Sequence, residues 1–447
     1  MKDLTQGPIA RHLLLMAAPM MVGMLVQTLY YLVDLYFVSR LGNPVVAGVS
    51  AGAAFSLAVM ALTQVFSVGT VALIARAVGA KDHDTANLVF NQSLVLAGCC
   101  SLIALVTGYA CLAPYMRGLG ADAATEAAGR AYLQAYIPGL ALQFAMIALG
   151  SALRGTGIVR PTMTVQLLTV AVNALLAPIL IAGVFTGHPL GAAGAGLAST
   201  IAVVFGVAML SYYYLKLEKY VEFHPELWRP RLATWGQILN IGLPSGLEFG
   251  LLFAYQVVVY ATIRDFGSTA QAGFGIGARV MQTFFLPAMA VSFAIAPIAA
   301  QNFGARNAER VRRTFREGAL IGGCAMLVLM LLCQWQGDRL IGLFTSDPAT
   351  IAVGTTFLHT ISLNFVLSGF VFSCSGMFQA LGNTWPSVIA SSTRLVTFAL
   401  PAVYLSHQPN FHIEEIWHLS VVTVVLQALV AYWWVRRELN SRLRFSA

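Results

Sequence analysis

Twelve long apolar segments, spaced almost evenly along the chain, limit what it can fold into. They run approximately over 12–37, 46–75, 86–113, 127–152, 160–184 and 191–217, then over 236–263, 270–300, 315–335, 351–377, 385–406 and 415–435. Each can cross about 30 Å of hydrocarbon as a helix, the longer ones with tilt or a kink. Pro19, Pro178, Pro244, Pro287 and Pro401 are the expected kink positions. Alternation at period two is absent, which argues against a β-barrel. Charge excludes an ordinary soluble fold: 10% of the 447 residues are charged and 58% are hydrophobic, against about 25% charged in soluble domains. The first apolar run is too long for the core of a cleavable signal and is expected to stay as a span. The expected fold class is an all-α integral membrane protein.

Lys and Arg give the orientation. With the N-terminus in the cytoplasm, 19 of the 26 fall in cytoplasmic segments, 5 in outside loops and 2 within spans. This follows the positive-inside rule and predicts an even number of spans with both termini cytoplasmic. The net charge of +8 then reflects topology rather than a nucleic-acid partner. The basic run 306–316 lies at a membrane mouth, where it meets anionic lipid. A long polar break, 216–235, sits at the midpoint. It divides the chain into an N-lobe (1–217, spans one to six), a cytoplasmic linker (218–235) and a C-lobe (236–447, spans seven to twelve).

The halves repeat. At an offset of 225 residues Pro19 meets Pro244, RAVGAKD (76–82) meets QNFGARN (301–307), and ADAAT (121–125) meets SDPAT (346–350). Six spans per half is an even number, so both halves enter from the same side. Two six-helix lobes related by a parallel pseudo-two-fold repeat are a transporter architecture.

Ionisable residues deep in a span are expensive and mark functional sites. Of the 18 acids, Asp34 in span one and Glu248 in span seven lie well inside. Gln27, Tyr30, Tyr31 and Phe37 lie on or beside the Asp34 face. A carboxyl there suits two jobs: the neutral acid carries a proton, and the anion pairs with a cation that the aromatic faces also attract. Position 259 is Val, so the repeat does not duplicate Asp34. Glu248 follows Pro244 by four residues and is read as a second cation-coupling residue, with an ion pair to Arg279 or Arg394 as the structural alternative; Tyr255 continues its face and is read as a cavity residue. Those arginines lie within spans eight and eleven and need a partner, because guanidinium keeps its proton. His359 in span ten is a weaker protonation candidate. The six cysteines show no metal or disulfide spacing, and there is no P-loop or H-E-x-x-H motif. No cofactor or metal is expected.

YYLVDLYFVSRLG (30–42), ARAVGAKDHDTA (75–86) with its twin AQNFGARNAERVRR (300–313), FQALGNTWPS (378–387) and RLVTFALPAVYL (394–405), in this order, resemble the multidrug and toxic compound extrusion (MATE) family over essentially the whole chain. The resemblance implies a V-shaped pair of six-helix lobes in the bacterial inner membrane. It implies export of cationic or amphipathic compounds in exchange for H+ or Na+. It places a coupling role on Asp34 and on Asn173 in span five, with a hydroxyl from Ser199 or Thr200 in span six. One subgroup has an acid four residues after that Asn; here it is Ala177, which removes a hard ligand and favours H+ over Na+. Another subgroup has its span-seven Glu one turn later, near Leu252. The expected function is a monomeric multidrug antiporter with small-molecule substrates and membrane lipid around it. A flippase for a lipid-linked oligosaccharide is the alternative, and it would want a strongly cationic cavity. An intramembrane lipid-modifying enzyme is the rival of another class, and it would need a nucleophile–base pair or metal cluster not found here.

Overall fold

A computed structural model describes residues 2–119, 122–185 and 187–445; at 30–35, 43, 53, 54 and 119 it describes the backbone but not the side chain. The described residues form fourteen α-helices, two short 3-10 turns and no strand. The first half contains α1 (Ile9–Ser39), α2 (Asn43–Gly79), α3 (His83–Leu119), α4 (Ala123–Gly155), α5 (Arg160–Ala182) and α6 (Gly191–Lys216). The second contains α7 (Leu232–Thr262), α8 (Gly267–Phe284), α9 (Leu286–Gly304), α10 (Ala308–Gly342), α11 (Pro348–Ser362), α12 (Phe365–Leu381), α13 (Trp385–Ser406) and α14 (Ile413–Arg442). Eleven stretches are long and apolar enough to cross a membrane, α8 and α9 together forming one of them, and α11 with α12 makes a twelfth.

Two segments expected as single helices are interrupted. Segment 270–300 divides at Phe285, and Pro287 enters at the start of α9 instead of kinking a continuous helix. Segment 351–377 bends by 55° between α11 and α12, with neither Pro nor Gly at the break. A neighbouring helix braces it. The amide of Gln334 on α10 donates to the His359 carbonyl at 2.6 Å and to the Ser362 hydroxyl at 2.8 Å. It thereby satisfies backbone that the break leaves without a helical partner.

The 225-residue repeat persists in three dimensions. Asp122 caps α4 by accepting from the Thr125 N–H at 2.7 Å, and Asp347 caps α11 by accepting from Thr350 at 3.0 Å. Lys81 and Arg306, at equivalent corners, both adopt left-handed backbone, φ 58° and 55°. Gly48 lies against Gly129, and Gly273 against Gly354; Gly52 faces the Tyr132 ring, and Gly277 the Phe357 ring. Small residues let these helices approach closely, so α2–α4 and α8–α11 pack through one repeated seam. Hydrogen bonds from Thr125 and Thr350 hold the two capping carboxyls below the ordinary carboxylate range. Their stabilising contribution is therefore full above about pH 4 and is lost as the pH falls through the lower folded-state value. Melting curves between about pH 7 and pH 3 should show wild type losing more stability than Asp122→Asn/Asp347→Asn, which keeps a capping oxygen without the titration.

By packing, the chain divides into two compact units: residues 1–3 with 22–242, and residues 4–21 with 243–447. Helices α1 and α7 contribute to both, changing unit close to Pro19 and Pro244. In the first unit three amide side chains of α3 grip the segment after α6. Asn91 donates to the Glu222 carbonyl at 2.9 Å and accepts from the His224 N–H and the Trp228 indole, both at 2.9 Å. Asn87 accepts from the Glu222 N–H, and Gln92 from that of Arg231, both at 2.8 Å. Asn91→Ala would strand three of these groups, at about 1–3 kcal/mol for each that stays dry. Limited proteolysis should then cut within 218–231 faster than in wild type.

Candidate functional site

Each unit holds its own cluster of polar side chains within the spans. In the first, α5 buries one stripe, Val165, Thr169, Asn173, Ala177 and Ile181, spaced four apart as a single helix face requires. This stripe meets α6 where glycine permits: Gly206 lies against Thr169, and Gly194 against the Leu180 carbonyl. Between them Asn173, fully buried, donates from Nδ2 to the Ser199 hydroxyl at 3.3 Å. Of the two expected hydroxyls, Ser199 therefore joins Asn173. Thr200 turns to α4 and donates to the Ala135 carbonyl at 2.7 Å. Ala177, one turn from Asn173, is fully buried and brings no polar side-chain atom.

Gln27 accepts from the Gln166 amide at 3.1 Å, joining α1 to α5. Phe37 packs into the hydrophobic core of this unit, edge-on to Tyr36 at 5.4 Å. Arg40 lies over the Tyr36 ring, 4.6 Å from its centroid. Tyr30, Tyr31 and Asp34 are helical in backbone, but their side chains lie outside the described residues.

In the second unit Glu248 sits at the middle of α7, half-buried. It accepts from the Ser375 hydroxyl on α12 at 3.3 Å, and the Ser391 hydroxyl on α13 lies close by. Gln427 on α14 donates to Ser391 at 3.3 Å. Four helices thus converge on one carboxyl.

The alternative of an ion pair between Glu248 and Arg279 or Arg394 is not what is observed. No ion pair joins Glu248 to a described Lys, Arg or His. Arg279 lies on the exposed face of α8. Arg394 takes an aromatic partner instead, 4.4 Å from the centroid of Tyr255. Tyr255 is held in turn by a hydrogen bond shared with Ser420 at 2.7 Å and by the Phe398 ring at 4.6 Å. A ring face stabilises guanidinium through its quadrupole without requiring an acid.

The chemistry open to Glu248 follows from hydroxyl neighbours and no counter-charge among the described groups. Hydroxyls donate to the anion and accept from the acid, so both protonation states find partners. His359 adds no acid–base pair: its ring packs beside Gly337 and its carbonyl is held by Gln334. Sequence reasoning missed Gln166, Ser375, Ser391 and Gln427. Gln166 had a signal, since it precedes Asn173 by seven residues just as Gln27 precedes Asp34. The other three had none, being ordinary polar residues in apolar helices.

Twelve apolar spans with a carboxyl and amides held at mid-depth define a polytopic membrane protein of the transporter class. Comparison with known proteins agrees. The family model MatE matches twice, over residues 19–179 and 244–405, and the two matches start at the repeat offset read from the sequence. The multidrug export protein MepA of Staphylococcus aureus (strain MRSA252) is 25% identical over 417 residues, covering 93% of this chain and 91% of MepA. The probable multidrug resistance protein YoeA of Bacillus subtilis (strain 168) is 24% identical over 451 residues, covering 97% and 96%. A solved structure of a multidrug resistance MATE family transporter of the MOP superfamily, in an outward-facing conformation, superposes with a TM-score of 0.90 at 25% identity. It covers 99% of this chain and 98% of that one. The chain belongs to the MatE family; it is a multi-pass membrane transporter and not an enzyme.

Proposed function

We propose that the protein is a secondary multidrug efflux antiporter of the bacterial inner membrane, with both termini cytoplasmic, exporting cationic or amphipathic compounds in exchange for H+. The contact between Gln27 and Gln166 carries the reading. Successive spans alternate in direction, so spans one and five run the same way. Seven residues are close to two helical turns, so Asp34 and Asn173 return to the faces that meet at Gln27 and Gln166, at a matching depth. This supports a first-unit site composed of one carboxyl, the Asn173 amide and the Ser199 hydroxyl.

One carboxyl holds a proton or a cationic substrate favourably, and poorly both together. Substrate entering from the cytoplasmic side meets the anion; a proton entering from outside neutralises it and releases the substrate. Na+ as coupling ion is the alternative, but Ala177 leaves few hard oxygen ligands for it. Glu248 is a second protonatable group in the other unit, but at a different repeat position: Val259 stands opposite Asp34 and Gly23 opposite Glu248, so the two units are chemically unequal. No cofactor takes part.

Transport in inverted membrane vesicles under separate ΔpH and ΔNa+ tests the reading. Uptake of a fluorescent cationic drug should follow ΔpH in the absence of Na+. Uptake driven by Na+ alone, without response to ΔpH, would overturn the proton assignment. Uptake requiring neither gradient would overturn antiport.

A further inference from the structure

The repeat exposes a difference at one end of the molecule. At the start of α3, Phe90 is fully buried, stacked on Tyr214 at 4.8 Å and against Phe223 of the following segment at 5.5 Å. Asn87 grips the backbone of that segment by accepting from the Glu222 N–H. The groove between α3 and α6 is thus filled by the chain itself. At the offset of 225, Phe315 takes the place of Phe90 and Arg312 that of Asn87. Here, between α10 and α14, no described segment fills the groove. A cavity of about 420 Å³ remains, lined by Arg312, Phe315, Tyr432, Arg436, Leu439 and Asn440 among others.

The lining is amphipathic in an ordered way. Arg312 is oriented by donating to the Asn440 side chain at 3.1 Å and to the Leu439 carbonyl at 3.4 Å. Phe315 and Tyr432 both rest on Phe370, with ring centroids 5.9 and 6.2 Å away. Next to Tyr432, Trp433 and Trp434 share Arg437 at 5.4 and 5.1 Å. Trp and Tyr beside Arg at a span end are the residues of a membrane–water interface. They set this part of α14 at headgroup depth.

We infer that the groove between α10 and α14 binds an anionic phospholipid of the adjoining leaflet. Arg312 and Arg436, with Asn440, face the phosphate, and Phe315 and Tyr432 face the first carbons of the acyl chains. Two guanidiniums over aromatic walls fit a phosphate attached to hydrocarbon better than a free anion, for which the walls would be wasted. The leaflet is cytoplasmic in the orientation proposed above; the site itself does not depend on the coupling ion.

Native mass spectrometry of the purified full-length protein tests this, with phosphatidylglycerol, phosphatidylcholine or inorganic phosphate added after delipidation. Phosphatidylglycerol should be retained over phosphatidylcholine. Arg312→Gln/Arg436→Gln should weaken its retention roughly tenfold or more. Arg316→Gln/Arg444→Gln, which removes the same charge outside the groove lining, should change it little. Arg312→Lys/Arg436→Lys should retain part of the preference and separates loss of binding from loss of fold. Equal weakening in both Gln pairs would mean diffuse surface attraction and overturn the site. Displacement of the lipid by millimolar inorganic phosphate would overturn the lipid assignment.

Discussion

Asp34→Asn is expected to cut gradient-driven efflux by about 5–150-fold while the protein still inserts and folds. The substitution keeps size and a hydrogen-bonding oxygen but removes the group that can alternate between neutral and anionic. Insertion should not suffer, because an amide is cheaper than a carboxylate at mid-span. If proton and substrate compete for this carboxyl, their coupling vanishes with it. Coupling free energies of 1–3 kcal/mol correspond to a loss on the order of 5–150-fold. Drug efflux driven by a ΔpH, normalised to membrane expression, measures it. An uncharged amphipathic substrate should be affected differently from a cationic one, since only the latter loses its charge partner. Full ΔpH-driven export by a properly inserted Asp34→Asn variant would contradict the role given to Asp34.

The second large effect concerns Glu248, where transport and stability should separate. Glu248→Gln keeps an oxygen for the Ser375 and Ser391 hydroxyls and should cost at most about 1 kcal/mol of stability. Its coupled efflux should fall about fivefold, the low end of ordinary coupling, because a titratable group is gone from the second unit. Glu248→Leu removes the acceptor as well and strands the Ser375 hydroxyl, at about 1–3 kcal/mol if it stays dry. It should melt several degrees lower than Glu248→Gln in the same detergent. If the two variants melt alike and both transport at the wild-type rate, Glu248 serves neither coupling nor packing.

The span pattern was legible in the sequence because hydrocarbon allows a segment few alternatives to a helix. The repeat was legible too, since the capping acids Asp122 and Asp347 and the corners at Lys81 and Arg306 are local devices with local sequence signals. The bend between α11 and α12 was not, because no Pro or Gly marks it and the Gln334 contacts that brace it come from another helix. The neighbours of Glu248 were hidden for the same reason: positions 375, 391 and 427 meet only when three helices pack around α7. Arg394 was read as needing a partner, and the choice of the Tyr255 ring could not be seen without tertiary structure. Ser199 and Thr200 are adjacent in sequence yet face different helices, a distinction set by how α6 packs between α4 and α5.

The central claim is that Asp34 holds either a proton or a cationic substrate. Proton release on substrate binding measures this directly, in detergent-solubilised protein at weak buffering and near-neutral pH. Addition of a saturating cationic drug should release protons from wild type, and clearly fewer from Asp34→Asn at equal occupancy. Drug binding without proton release, or equal release from both proteins, would contradict the account.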